Sequence, residues 1–128
     1  MNPYEHIEAL ISKARTLDEA AAALQILLSS DIAVLPDGRF YNIKVLVARF
    51  RGLRIEIHPK DHAPPHFHVI CDSFNASFAL SDCSLLEGGL SNRESSLIIK
   101  WFGNNRPLLV EAWNKSRPDD CQAGPVAE

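Results

Sequence analysis

The sequence predicts an α+β fold with an N-terminal helical hairpin, an antiparallel sheet of three to five strands, and a C-terminal helix packed on one sheet face. Three observations support this order. Apolar residues recur at helical spacing over residues 1–30, alternate at every second position between residues 43 and 80, and return to helical spacing after residue 91. With 46% hydrophobic and 23% charged residues, the composition is that of a globular domain.

The predicted helical hairpin occupies residues 1–30. Pro3 suits the first position of a helix, and Thr16 with Glu19 forms a capping box that begins the second one. The apolar positions of the two helices are Tyr4, Ile7, Leu10, Ile11 and Ala14, then Leu17, Ala20, Ala21, Leu24, Leu27 and Leu28. We expect this segment to serve in dimerisation or partner docking, or as additional cover for the sheet.

Alternating runs predict the strands. They cover residues 43–47, 53–58, 66–69 and 74–80, and Leu85 and Leu86 form a short edge element. The turns between them contain proline, glycine or aspartate, as at residues 36–38 and 61–65.

The C-terminal helix begins at a second capping box, formed by Ser91 and Glu94. Gly103 resembles a C-cap and Pro107 a new helix start, which predicts a break near Gly103. Residues 31–117 are therefore expected to form the α+β domain, and residues 118–128 a disordered tail.

Charge and cysteine content narrow the class of protein. The formal net charge of −3 conceals a basic band at residues 39–60, which could bind a phosphate backbone or an acidic partner, or pair with the acidic flanks of the chain itself. Three cysteines without a C-x-x-C pair favour a reducing compartment. Because neither a secretory signal nor a membrane-spanning run is visible, we expect a cytoplasmic protein with no membrane partner.

The stretch DHAPPHFHV at residues 61–69 is the candidate site. On a strand, His66 and His68 point to the same side. A hairpin with residues 53–58 would place polar side chains beside them, and two prolines stiffen the connecting turn. The predicted set is Arg54, Glu56, His58, Lys60, Asp61, His62, His66 and His68.

Four interpretations of this stretch remain open. The first is a metal site for zinc or manganese, with His66, His68, His62 and Asp61 as ligands. The second is acid–base catalysis by His66, His68 and His62 on a phosphate held by Arg54 and Lys60. The third is binding of nucleic acid or protein, with Arg54, Lys60, Glu56 and His58 as further contacts. The fourth is a structural turn. A histidine-triad nucleotide hydrolase is excluded, because Ile70 occupies the third position of H-x-H-x-H.

Residues 43–117 resemble a bacterial family, the domain of unknown function 4160 family. The resemblance rests on DHAPPHFHV, on LRIEI before it and on LLEGGLSNRESSLIIKWFGNNRPLLVEAW after it. The motif positions are Asp61, His62, Pro64, Pro65, His66 and His68. Members often occur in gene pairs that look like toxin–antitoxin modules, and the resemblance implies no settled activity.

We therefore expect a binding or regulatory protein that acts through its histidine-rich site. The expected partner is a cognate toxin or antitoxin, or a second copy of the chain, with RNA or DNA as a further candidate. The alternative is a phosphodiesterase or ribonuclease, metal-dependent or metal-free, that uses the same histidines.

Overall fold

The predicted α+β fold is confirmed in the computed structural model, which describes residues 3–43, 47, 49–58 and 64–116. Its elements are α1 (Glu5–Ser12), α2 (Leu17–Leu28), β1 (Ile32–Val34), β2 (Phe40–Asn42), β3 (Arg54–Glu56), β4 (His66–Ile70), β5 (Asn75–Ala79), β6 (Leu85–Glu87) and α3 (Asn92–Ser116). Strands β1 and β2 form an antiparallel ribbon, and β3-β4-β5-β6 form an antiparallel sheet in that order. Most of the predicted strand at residues 43–47, and the tail at 118–128, lie outside the described residues.

Both predicted capping boxes form the expected bond to the N-cap hydroxyl. The Glu19 amide donates to Thr16 Oγ1 at 3.1 Å, and the Arg15 amide donates to the Glu19 carboxylate at 2.9 Å. At the start of α3 the Glu94 amide donates to Ser91 Oγ at 3.2 Å. The bonds to the two hydroxyls satisfy amide groups that the first turn of a helix leaves without partners, so local sequence sets where α2 and α3 begin.

The hairpin, α3 and the sheet share one hydrophobic core. The buried indole of Trp101 donates to the Ala20 carbonyl at 2.9 Å, and the buried Asn105 amide donates to the Ile11 carbonyl at 2.9 Å. On the neighbouring side of α3, Phe102 stacks on Phe67 of β4 with ring centroids 5.9 Å apart. The hairpin therefore covers α3, and α3 covers one face of the sheet.

The expected break near Gly103 is wrong, because α3 continues through Gly103 and Pro107. An interior proline removes one backbone hydrogen bond and costs about 3 kcal/mol. Burying a large apolar side chain stabilises by about 1.5–3 kcal/mol, and such side chains lie on both sides of Gly103. They are Leu97, Ile98, Trp101, Phe102, Leu109, Val110 and Trp113. None of the described helices, α3 included, is both long and apolar enough to cross a membrane.

Candidate functional site on the polar face of the sheet

The sheet face opposite α3 carries a groove of about 520 Å³, called here the polar groove. Its lining residues are Arg54, Glu56, His58, His68, Ile70, Asn75, Ser77, Glu87 and Gly88. The predicted pairing of residues 53–58 with 66–71 is confirmed, because Glu56 lies opposite His68 and Arg54 opposite Ile70.

One row of side chains crosses all four strands of this sheet. His68 lies opposite Ser77, and Ser77 lies opposite Glu87, so the order across the sheet is Glu56, His68, Ser77, Glu87. We call these four residues the cross-strand row. At about 4.8 Å between neighbouring strands, its two carboxylate-bearing ends lie on strands about 14 Å apart.

Glu56 lies at one end of the polar groove and contacts two of its lining residues. Its carboxylate accepts from Arg54 Nε at 2.5 Å and contacts His58 Nε2 at 3.0 Å. The hydrogen bond from Arg54, followed by that from His58, holds the pKa of Glu56 below its usual value. Glu56 is thus ionised at neutral pH, and its charge compensates that of Arg54.

The three described histidines of the β3–β4 region have neighbouring rings but differ in environment. The rings of His58 and His68 stack at 4.1 Å in the polar groove. The His66 ring lies 5.1 Å from that of His68 and 5.9 Å from that of Trp113 on α3, and His66 is only 6% exposed. His66 Nδ1 lies 2.7 Å from the Pro64 carbonyl. Because a carbonyl only accepts, Nδ1 carries a proton, and in the neutral ring the lone pair lies on Nε2.

Two residues that sequence reasoning missed complete the cross-strand row. Ser77 is 6% exposed, and its hydroxyl forms no hydrogen bond with any described residue. Every fully enclosed side-chain nitrogen or oxygen in the described chain has a partner, so this hydroxyl must retain contact with the polar groove. Glu87 is exposed and forms no ion pair within the described ranges. The signal for Ser77 was present in the sequence, since Asn75 and Ser77 alternate with apolar residues of β5.

The residues that match a known protein family include those that line the polar groove. Residues 52–114 match the model of a family described as a domain of unknown function, DUF4160. These residues are called the DUF4160 segment below. The DUF4160 segment runs from just before β3 to near the end of α3 and contains every lining residue of the polar groove. No curated protein and no solved structure matches the chain.

The predicted site residues within the DUF4160 segment divide into three groups. Arg54, Glu56, His58 and His68 come together in the polar groove, and His66 adjoins it beside Trp113. Lys60, Asp61 and His62 lie outside the described residues, so the metal set that includes them stays a prediction. Among the residues that are described, no three or more histidine, cysteine, aspartate or glutamate side chains are placed to hold a metal ion.

Proposed function

We propose that the protein is the binding, regulatory component of a toxin–antitoxin-like gene pair, and that it engages its partner through the polar groove. The cross-strand row carries this proposal. It presents acceptor and donor groups across the width of a sheet, where the backbone ladder holds each side chain at a set spacing. A site built on strands is already ordered before the partner arrives, so less conformational entropy is lost on binding.

The contacts of Glu56 also favour binding over phosphate chemistry. A phosphodiester substrate needs cations that remain free to stabilise its negative charge. In the described polar groove the guanidinium of Arg54 is already engaged by Glu56 at 2.5 Å. Glu87 adds a second carboxylate at the other end of the row.

One observation favours a second function, a phosphodiesterase or ribonuclease. The contact between His66 Nδ1 and the Pro64 carbonyl, at 2.7 Å, orients the ring, as the second partner of a metal-binding or proton-transferring histidine commonly does. His66, His68 and His62 would then act on substrate, with Asp61 completing a zinc or manganese site and Lys60 holding phosphate.

The test of the binding proposal uses the product of the neighbouring gene. The two proteins are co-expressed, and the Kd of the complex is measured by calorimetry for the wild type and for His68→Ala and Glu56→Gln. We expect each variant to weaken binding about tenfold or more, as for residues at the centre of an interface. Glu5→Gln is the matched control, since Glu5 is an exposed acid on α1. Equal Kd values for all four proteins, or no complex at all, would contradict the proposal.

The enzymatic alternative is tested in parallel with end-labelled RNA, with and without added zinc or manganese. Cleavage that disappears in His66→Ala and His68→Ala, while the circular dichroism spectrum is unchanged, would favour the second function. Absence of cleavage under all conditions would contradict it.

A further inference from the structure

We infer that the polar groove recognises a cationic side chain, arginine or lysine, on a basic segment of a partner protein, with Glu87 and Ser77 as its contacts. This inference rests on the proposed function of the same groove and names the chemistry of its ligand. Charge, hydrogen-bonding capacity and the order of the cross-strand row lead to it.

The described lining of the groove has more carboxylates than guanidinium groups. Its lining contains one guanidinium, that of Arg54, and two carboxylates, those of Glu56 and Glu87. Arg54 and Glu56 compensate each other at 2.5 Å. The remaining carboxylate or guanidinium among the described lining residues is the carboxylate of Glu87. A cationic ligand would complement this carboxylate, whereas an anionic ligand would be repelled by it.

Ser77 supplies an independent indication that a ligand enters here. Its side chain is more than nine-tenths buried and lines the groove, yet the hydroxyl bonds to no described residue. Because this largely buried hydroxyl keeps contact with the groove and bonds to no described residue, a ligand donor that enters the groove can reach the oxygen and form a hydrogen bond with it.

The geometry of the row suits a guanidinium better than a simple point charge. Ser77 and Glu87 are direct cross-strand neighbours, and side chains in such pairs start about 4.5–5.5 Å apart. A guanidinium has five N–H donors in one plane and can bond to a hydroxyl and a carboxylate at the same time. His68, the next member of the row, offers a flat ring against which that plane can stack.

The test is a titration of ¹⁵N-labelled protein followed by NMR. The probe is acetyl-Gly-Gly-Arg-Gly-Gly-amide, and its matched control has citrulline, which is neutral, in place of arginine. We expect saturable shifts of the Ser77, Glu87 and His68 amide signals with the arginine peptide and none with the citrulline peptide. Loss of one exposed charge pair corresponds to about fivefold weaker binding, which is the change expected for Glu87→Gln.

Two further variants control for structure. Ser77→Ala removes only the hydroxyl and should also weaken binding of the arginine peptide, while the dispersion of the spectrum reports that the sheet is intact. Glu111→Gln changes an acid on the exposed side of α3 that pairs with Lys115, and it should leave the titration unchanged.

The outcomes separate this inference from the proposed function. Equal shifts with arginine and citrulline, or shifts with inorganic phosphate or hexauridylate but not with the arginine peptide, overturn cation recognition and leave the groove a binding site. If the neighbouring gene product shifts the groove signals and the arginine peptide does not, cation recognition alone fails. If neither the peptide nor that protein shifts them, both proposals fail.

Discussion

Replacing Gly88 with alanine should disrupt the β6 end of the polar groove. Gly88 follows β6 with φ of +112°, a conformation that side chains with a Cβ rarely adopt. A Cβ added there would lie 2.7 Å from Ala76 Cβ, 2.8 Å from Ala76 Cα and 2.9 Å from the Asn75 carbonyl oxygen. Two of these three atoms are backbone, so no rotamer change can make room, and β6 must move away from β5.

The expected loss of stability follows from these two effects. A residue held in a disfavoured φ region costs about 1–3 kcal/mol, and forcing atoms apart in a packed region typically adds about 1–3 kcal/mol. We therefore expect Gly88→Ala to lower the free energy of unfolding by about 2–6 kcal/mol. The lower part of this range is reached if β6 detaches locally, because its leucines are already more than 40% exposed and little burial is lost.

Two other glycines provide matched controls. Gly52 has φ of +66° but open space around the added Cβ. Gly52→Ala should therefore lower the free energy of unfolding only through the disfavoured backbone conformation, by about 1–2 kcal/mol. Gly89 has neither a positive φ nor a close neighbour, so Gly89→Ala should change stability by less than about 1 kcal/mol. The unfolding free energy is measured by urea denaturation, and hydrogen exchange of the β6 amides reports local detachment.

The ranking of the three variants decides the outcome. Gly88→Ala could prove no less stable than Gly52→Ala, with β6 amides that exchange at the wild-type rate. In that case the close packing of Gly88 against β5 does not stabilise β6. The reasoning on steric conflict would then be refuted.

Three further predictions concern the core and the titrating groups. Asn105→Ala should lower stability by about 1–3 kcal/mol in thermal denaturation, since a buried carbonyl of α1 loses its donor, whereas the exposed Asn104→Ala should have little effect. Because hydrogen bonds hold the pKa of Glu56 below 4.5, its carboxylate stabilises the fold above that pH and the contribution disappears as pH falls through the folded pKa. The Tm difference between wild type and Glu56→Gln should therefore shrink between about pH 6 and about pH 3. Burial raises the pKa of Cys83 to about 12, so maleimide at pH 8 should label half-buried Cys71 much faster, as quantified by mass spectrometry of each peptide.

The part of the site that sequence could predict depends on local regularities. Alternation within residues 53–58 and 66–69, with a short connection between them, was enough to predict that the two segments form a hairpin and share a polar face. The same alternation correctly assigned His58 and His68 to the polar side. These relations depend on strand periodicity and on one turn, and both can be read from neighbouring residues.

The remaining part depends on contacts between distant segments. Glu87 joins the cross-strand row through the pairing of β5 with β6, where the register shifts between Ser77 and Phe78. Such an irregularity changes which residues face each other and leaves no mark in the alternation of β5. His66 is buried because α3 continues past Pro107 and brings Trp113 against it. Local propensity predicted a break there, and the packing of α3 on the core outweighed it.

The two bonds that join the hairpin to α3 have a consequence for how the protein is made. Trp101 and Asn105 bond to Ala20 and Ile11, residues 81 and 94 positions earlier in the chain. At about 5–20 residues per second, a ribosome needs about 5–20 seconds to synthesise the segment that separates the two ends of these bonds. During that interval the alanine and leucine face of α2 has no α3 to pack against. The newborn chain can pack α2 against α1 and β3, but it cannot complete the burial of this face until α3 has been synthesised.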